Sequence, residues 1–173
     1  MRHISSFTGN VGDVLSNYGF RNYLSKIGFS AVPIEIRDYY QNIDPNKRKN
    51  LDDEFLKCEE MQETLLIGGG GFLDFWLDRS RTGTTVDVNL DLLKNTTFPL
   101  VILSVGSYPH QKVSESSYSN FSRFLEIIQD RPNSKIILRN DGSFEKLKSL
   151  NLINKKIIKG FDNAYLAQNY LKI

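Results

Sequence analysis

The chain has 173 residues, with 22 Lys and Arg against 20 Asp and Glu, two histidines and one cysteine. At 40% hydrophobic and 12% aromatic it can bury a core, and its length suits one domain. A net charge of +2 is too small to imply nucleic acid or an anionic membrane, and one thiol makes neither an internal disulfide nor a cysteine zinc cluster. No run approaches the about 20 apolar residues that span a bilayer, and Met1–Ser6 has no apolar core for a signal peptide. The expectation is a soluble, cytoplasmic chain with neither a nucleic-acid partner nor a membrane span.

In chain order, Arg2–Phe7 predicts a short strand. Asp13–Ile27 predicts a helix whose apolar stripe is Val14, Leu15, Tyr18, Phe20, Tyr23, Leu24 and Ile27, ended by Gly28. Ala31–Ile36 predicts a second strand. Arg37–Glu63, with Pro45 and Lys47-Arg48-Lys49, reads as an exposed connection holding a helix over Leu51–Met61. Thr64–Ile67 is a buried strand stopped by four glycines, and Thr85–Asn95 a helix through Val88, Leu92 and Leu93. Phe98–Val105 is a strand, Ser116–Asp130 an amphipathic helix, Lys135–Leu138 a strand, Gly142–Leu150 a short helix and Lys156–Ile158 a last strand. Apolar strands alternating with helices predict an α/β fold, a Rossmann-like three-layer parallel sheet with helices on both faces. In such sheets ligands sit beyond the carboxyl ends of the strands. That rule selects Thr8–Asp13, Gly68–Asp74, Gly106–His110 and Arg139–Ser143.

Gly9-Asn10-Val11-Gly12-Asp13 joins the first strand to the first helix. The glycines permit a tight turn and close backbone approach. Asp13, at the cap or first turn, accepts helix amides and supplies negative charge itself, which repels phosphate. With Asn10 it suits the hydroxyls of a polyol; the plainer alternative is a capped turn. Gly68-Gly69-Gly70-Gly71 answers a need for positive φ, close packing or ligand approach. A dinucleotide fingerprint is not met, because no glycine stands three residues after Gly70, and Asp87 and Asp91 fall in a predicted helix. No phosphate-binding G-x-x-x-x-G-K-[ST] occurs either. At least two of Phe72, Phe75 and Trp76 are expected in the core. His110, beyond the longest apolar run and near Gly106, is an acid–base candidate or an exposed loop histidine. Arg139 either holds an anion bidentately or pairs with an aspartate to fix its turn, and Asp141 or Ser143 caps the next helix. No metal site is expected.

Five segments in order carry a resemblance: Gly9-Asn10-Val11-Gly12-Asp13, Leu65-Leu66-Ile67-Gly68-Gly69-Gly70-Gly71-Phe72-Leu73, Ser104-Val105-Gly106, Leu138-Arg139-Asn140-Asp141-Gly142-Ser143 and Asp162-Asn163-Ala164-Tyr165-Leu166. Together the chain resembles the polysaccharide pyruvyl transferase family, with Asn163 where the family usually has proline and Asn140 intervening before Asp141. The resemblance implies a glycosyltransferase-B-like fold and transfer of pyruvate from phosphoenolpyruvate, as a ketal, onto a sugar of a cell-surface polysaccharide. Phosphoenolpyruvate is then a co-substrate and no cofactor is expected. By that likeness residues 1–173 correspond to the N-terminal, acceptor-side domain, without the C-terminal domain that builds most of the donor site. The chain alone is expected to be incomplete as an enzyme, and the surface left uncovered would favour self-association or a second chain. The catalytic candidates are Asp13, His110 and Arg139. The substrate-binding candidates are Gly9, Asn10, Gly12, Gly69, Gly70, Gly71, Gly106, Asp141 and Ser143, facing a sugar or glycan acceptor. The alternatives are a non-catalytic sugar- or partner-binding module and a nucleotide-sugar-binding glycosyltransferase-like domain.

Overall fold

The computed structural model describes residues 1–40 and 46–170. Its strands are β1 (Arg2–Ser5), β2 (Val32–Glu35), β3 (Leu65–Gly70), β4 (Leu100–Val105), β5 (Ser134–Leu138) and β6 (Ile157–Lys159). They form one sheet in the order β2-β1-β3-β4-β5-β6, and every neighbouring pair is parallel. The helices are α1 (Val11–Lys26), α2 (Asp52–Met61), α3 (Leu90–Asn95), α4 (Glu115–Asp130), α5 (Ser143–Ser149) and α6 (Ala164–Ala167). The protein therefore has the α/β, Rossmann-like arrangement that the alternation of segments predicts.

Chain direction explains the unequal covering of the two faces. The step from β1 to β2 runs one way along the sheet, and every later step runs the other way. Right-handed crossovers then place α1 on one face and the helices of the later connections on the opposite face. Alternating strand residues agree. Leu65, Ile67, Ile102 and Ile136 enter a large core with Phe55 of α2, Leu93 of α3, Phe121 and Phe124 of α4 and Leu147 of α5. Leu66 points the other way, into a small cluster with Phe20 and Leu24 of α1 and Leu166 of α6. α6 sits on α1 at Gly19, where a Cβ would lie 2.3 Å from the Ala167 nitrogen.

Several boundaries differ from the sequence expectation. β3 does not stop at Ile67 but runs to Gly70, because its pairing with β4 continues through Gly68–Leu103 and Gly70–Val105. A Cβ on Gly68 would stand 1.8 Å from the Leu103 carbonyl oxygen, so a glycine there is what permits the pairing. The helix expected from Thr85 begins only at Leu90, since the Asn89 side chain accepts from the amides of Asp91 and Leu92 and caps it there. Val86 and Val88 are buried in irregular chain before it. The apolar stripe of α1 is only partly used: Phe20 and Leu24 are buried, while Val14, Tyr18, Tyr23 and Ile27 are exposed, because the small core reaches only one strip of the helix. The connection from Arg37 to Glu63 is not simply exposed, since Tyr39, Leu51, Phe55 and Cys58 are buried within it; Pro45 lies outside the described residues. Phe72 and Phe75 are core, and Phe75 stacks on Phe121 with ring centroids 4.7 Å apart. Burial pushes the Cys58 thiol up to about 11, which keeps it protonated and inert.

His3, on β1, is buried with its ring edge-on to Phe7 and Phe20, and its Nδ1 has no hydrogen-bond partner. Burial, with Arg21 adding to it, lowers the imidazole from 6.5 to about 4. A depressed base contributes stability that is full above pH 6.5 and lost as pH falls toward 4. That loss is worth about 3 kcal/mol. Urea unfolding at pH 7 and pH 4.5 should show it, and His3→Phe, which keeps a ring between Phe7 and Phe20, should remove this part of the fall.

Candidate functional site

The carboxyl ends of the strands converge on one edge, and the turns there hold nearly all the charged groups singled out from sequence. After β1, Gly9 takes φ +89° and the Arg37 guanidinium lies over it; a Cβ on Gly9 would be 1.8 Å from Arg37 Nη1. Asn10 caps α1 by accepting from the Gly12 amide at 2.8 Å. The sequence predicts that Asp13 accepts helix amides; with Asn10 in the capping position, Asp13 has other partners. It sits half-buried in the first turn, near Ser6 and 3.9 Å from Arg37 Nη2. Burial raises its carboxyl above the ordinary aspartate range, against the pull of Ser6, Arg37 and Arg139.

After β3, each glycine answers a different demand. Gly69, at φ +86°, is approached by Asn17 Oδ1, Ser16 Oγ and Ser5 Oγ, which would lie 3.0, 3.2 and 3.2 Å from a Cβ. Gly70 gives room to the Phe72 ring, and Gly71 faces Asp74, whose Oδ2 would be 3.2 Å from a Cβ. Gly70 and Gly106 join β3 to the end of β4, with the Gly106 amide donating to the Gly70 carbonyl at 2.9 Å. A Cβ on Gly106 would lie 2.8 Å from Arg139 Nη2, so this glycine makes room for the guanidinium.

Arg139 is the centre of the edge. Its Nε–H donates to Asp141, and its Nη1 lies 3.8 Å from Asp162 Oδ2. Its field reaches Asp13 on one side and Asp74 on the other. The geometry thus favours a guanidinium already engaged by aspartates over one free for bidentate anion binding. Asp141 is also bound by Ser143, through the amide at 3.1 Å and the hydroxyl at 2.5 Å. Although burial works against it, these contacts and Arg139 hold Asp141 below the ordinary range. Ser143 is buried and accepts from the Ser107 amide at 2.7 Å, so its hydroxyl is spent within the turn.

The structure adds three residues to the set. Arg37 follows β2, whose turn is not among the segments that the strand-end rule selects from sequence. Asp74 lay inside the segment selected after β3 but carried no motif of its own. Asp162 belonged to a recognised segment without a role. Asp74 is buried, its Oδ1 accepts from the Tyr108 amide at 2.8 Å, and its Oδ2 is 3.6 Å from Nε2 of the exposed His110. Burial raises its carboxyl to about 6, despite the Tyr108 amide, His110 and Arg139. Among the described residues, no group of three or more His, Cys, Asp or Glu side chains is placed to hold a metal ion, and no helix is long and apolar enough to cross a membrane.

The substitution at Asn163 also has a structural reading. Its backbone N–H donates to the buried Ser104 hydroxyl at 2.7 Å, a bond that proline could not make. Ser104 itself adopts φ +56° where the β4–β5 register shifts. The bond ties the segment carrying Asp162 to the end of β4.

An acid held up to about 6 costs stability when it ionises. The folded state keeps its proton while the unfolded chain has released it, so stability falls as pH rises from about 4 through 6. Asp74→Asn keeps an acceptor for the Tyr108 amide and removes the charge. It should unfold at higher urea than the parent at pH 8, by about 2–3 kcal/mol, with the gap closing near pH 4.

No curated protein and no solved structure matches the chain. A family model described as polysaccharide pyruvyl transferase matches residues 10–173, spanning the Asn10 cap, the glycine run of β3 and the Arg139–Asp162 cluster. The chain belongs to the polysaccharide pyruvyl transferase family.

Proposed function

We propose that the protein takes part in transferring pyruvate from phosphoenolpyruvate onto two hydroxyls of one sugar in a cell-surface polysaccharide, and that this domain supplies the acceptor side. The reaction protonates the methylene carbon of the enol, adds one hydroxyl at C2, expels phosphate and closes the ketal with a second hydroxyl. Two hydroxyl protons are lost, one gained by the methylene carbon and one by the phosphate. Such chemistry needs acceptors for hydroxyl hydrogens, a proton carrier and cations around the donor.

One observation carries the acceptor reading. The edge gathers four carboxylates, Asp13, Asp74, Asp141 and Asp162, around two guanidiniums, Arg37 and Arg139. A carboxylate excess favours hydroxyl donors and disfavours a multiply charged phosphate ester. In this reading Asp13 and Asn10 receive the hydroxyls, at a turn where Gly9 and Gly12 bring the backbone close. Arg139 fixes the aspartates, and His110 carries a proton. Further cations for phosphoenolpyruvate then come from a second domain or chain. Val11, Phe161 and Tyr165, which are 72%, 73% and 58% exposed on elements at this edge, offer apolar surface for such a unit.

Deletion of the gene should remove ketal-linked pyruvate from the cell's polysaccharide, read from its methyl signal by NMR. The wild-type gene should restore it, and Asp13→Asn should restore less than about a tenth. Pyruvate content unchanged by the deletion contradicts the proposal. Rapid phosphate release from phosphoenolpyruvate and acceptor by the 173-residue chain alone contradicts the division of labour.

A further inference from the structure

We propose that Asp74 and His110 form one proton-transfer unit at the acceptor, in which His110 takes the proton of an attacking sugar hydroxyl and Asp74 holds the imidazolium that results. The inference rests on the acceptor reading above and deepens it by naming the residue that holds the proton carrier.

The geometry separates the two oxygens of Asp74. Oδ1 is fixed by the Tyr108 amide at 2.8 Å, and Oδ2 is left facing His110 Nε2 at 3.6 Å. Tyr108 and His110 belong to the same segment after β4, so the loop that clamps the carboxylate also delivers the ring to it. A carboxylate that served only to hold this loop would need Oδ1 alone. The His110 side chain is 78% exposed, which leaves its Nδ1 open to a substrate, whereas Asp74 is 11% exposed and can reach a substrate proton only through a partner. The other charged groups facing Asp74 are Arg139 and Asp141, both from the turn after β5. Burial brings the Asp74 carboxyl to about 6, within the range where general acid–base groups work at neutral pH.

The step balances within the reaction already stated. The sugar O–H breaks as its oxygen bonds to C2, and the proton passes to Nδ1 of His110. The ring then gives it to the departing phosphate oxygen as the C2–O bond breaks, and it returns to neutrality for the next turnover. Asp74 is a positioning residue here, since it touches the ring and not the sugar.

Carboxyl-carbon NMR of the protein without ligand tests the pair directly. His110→Gln, at an exposed position, keeps the fold and removes the imidazole beside Asp74. The Asp74 midpoint should then rise by about half a pH unit or more; an unmoved midpoint overturns the proposal. In the deletion strain both His110→Gln and Asp74→Asn should restore less than about a tenth of the ketal pyruvate, with Asp74→Glu recovering part of it. Full restoration by Asp74→Asn also overturns it. If deletion itself leaves the ketal in place, the transferase reading fails, and the carboxyl titration still decides whether the two residues are coupled.

Discussion

The glycine run of β3 is the constraint on which the rest of the site depends. At Gly68 the neighbouring strand passes so close that any side chain would strike the Leu103 carbonyl. At Gly69 the chain turns into a left-handed conformation that brings Ser5, Ser16 and Asn17 together, tying α1 to the end of β1. Gly70 and Gly71 then give way to the Phe72 ring and the Asp74 carboxylate. The run lies where the chain reverses direction along the sheet, between β1 and β3. This is the position at which open parallel sheets have a crevice for ligands. Four residues without side chains thus set strand pairing, helix docking and the placement of a buried acid.

Charge organises the edge that the glycines open. Arg139 is held by Asp141 and Asp162 and influences Asp13 and Asp74, so it acts as the hub of a cluster drawn from four connections. Two of those carboxylates, Asp13 and Asp74, are raised by burial, and Asp141 is lowered by its contacts. Environments that push neighbouring acids apart are a mark of sites that handle protons. The same burial carries a stability cost, and His3 on the small core adds a pH dependence of opposite sign. The fold is therefore tuned against itself between pH 4 and 6.

Much of the architecture could be read from sequence, since strand and helix periods differ and each connection showed one or the other. The parallel sheet, the capped turn at Gly9–Asp13 and the ends of α1 and α4 followed from those signals. The misreadings have local causes. Glycines read as strand breakers at β3, although a neighbouring carbonyl makes Gly68 a condition of pairing. Val88, Leu92 and Leu93 suggest a helix from Thr85, yet Asn89 is a stronger start signal. The position of Asp13 suggests that it accepts helix amides, a task that Asn10 performs instead. Arg37 and Asp74 went unremarked because their roles arise from tertiary proximity to Gly9 and His110, which no spacing records. Asn163 was a departure in sequence and becomes a specific bond to Ser104 in the structure.

The chain belongs to the polysaccharide pyruvyl transferase family, and the carboxylate-rich, glycine-opened edge is the place we propose for the acceptor. A groove beside α1 competes for that role. It has a volume of about 580 Å³ and is lined by Phe7, Tyr18, Arg21 and Phe29 among others. Backbone amide shifts of the protein, followed while oligosaccharides cut from the polysaccharide of the deletion strain are added, separate the two. Shifts at Gly9–Asp13, Gly69–Asp74 and Gly106–His110 are the result this account predicts. Shifts confined to Tyr18, Arg21 and Phe29, with the strand edge unmoved, would contradict it.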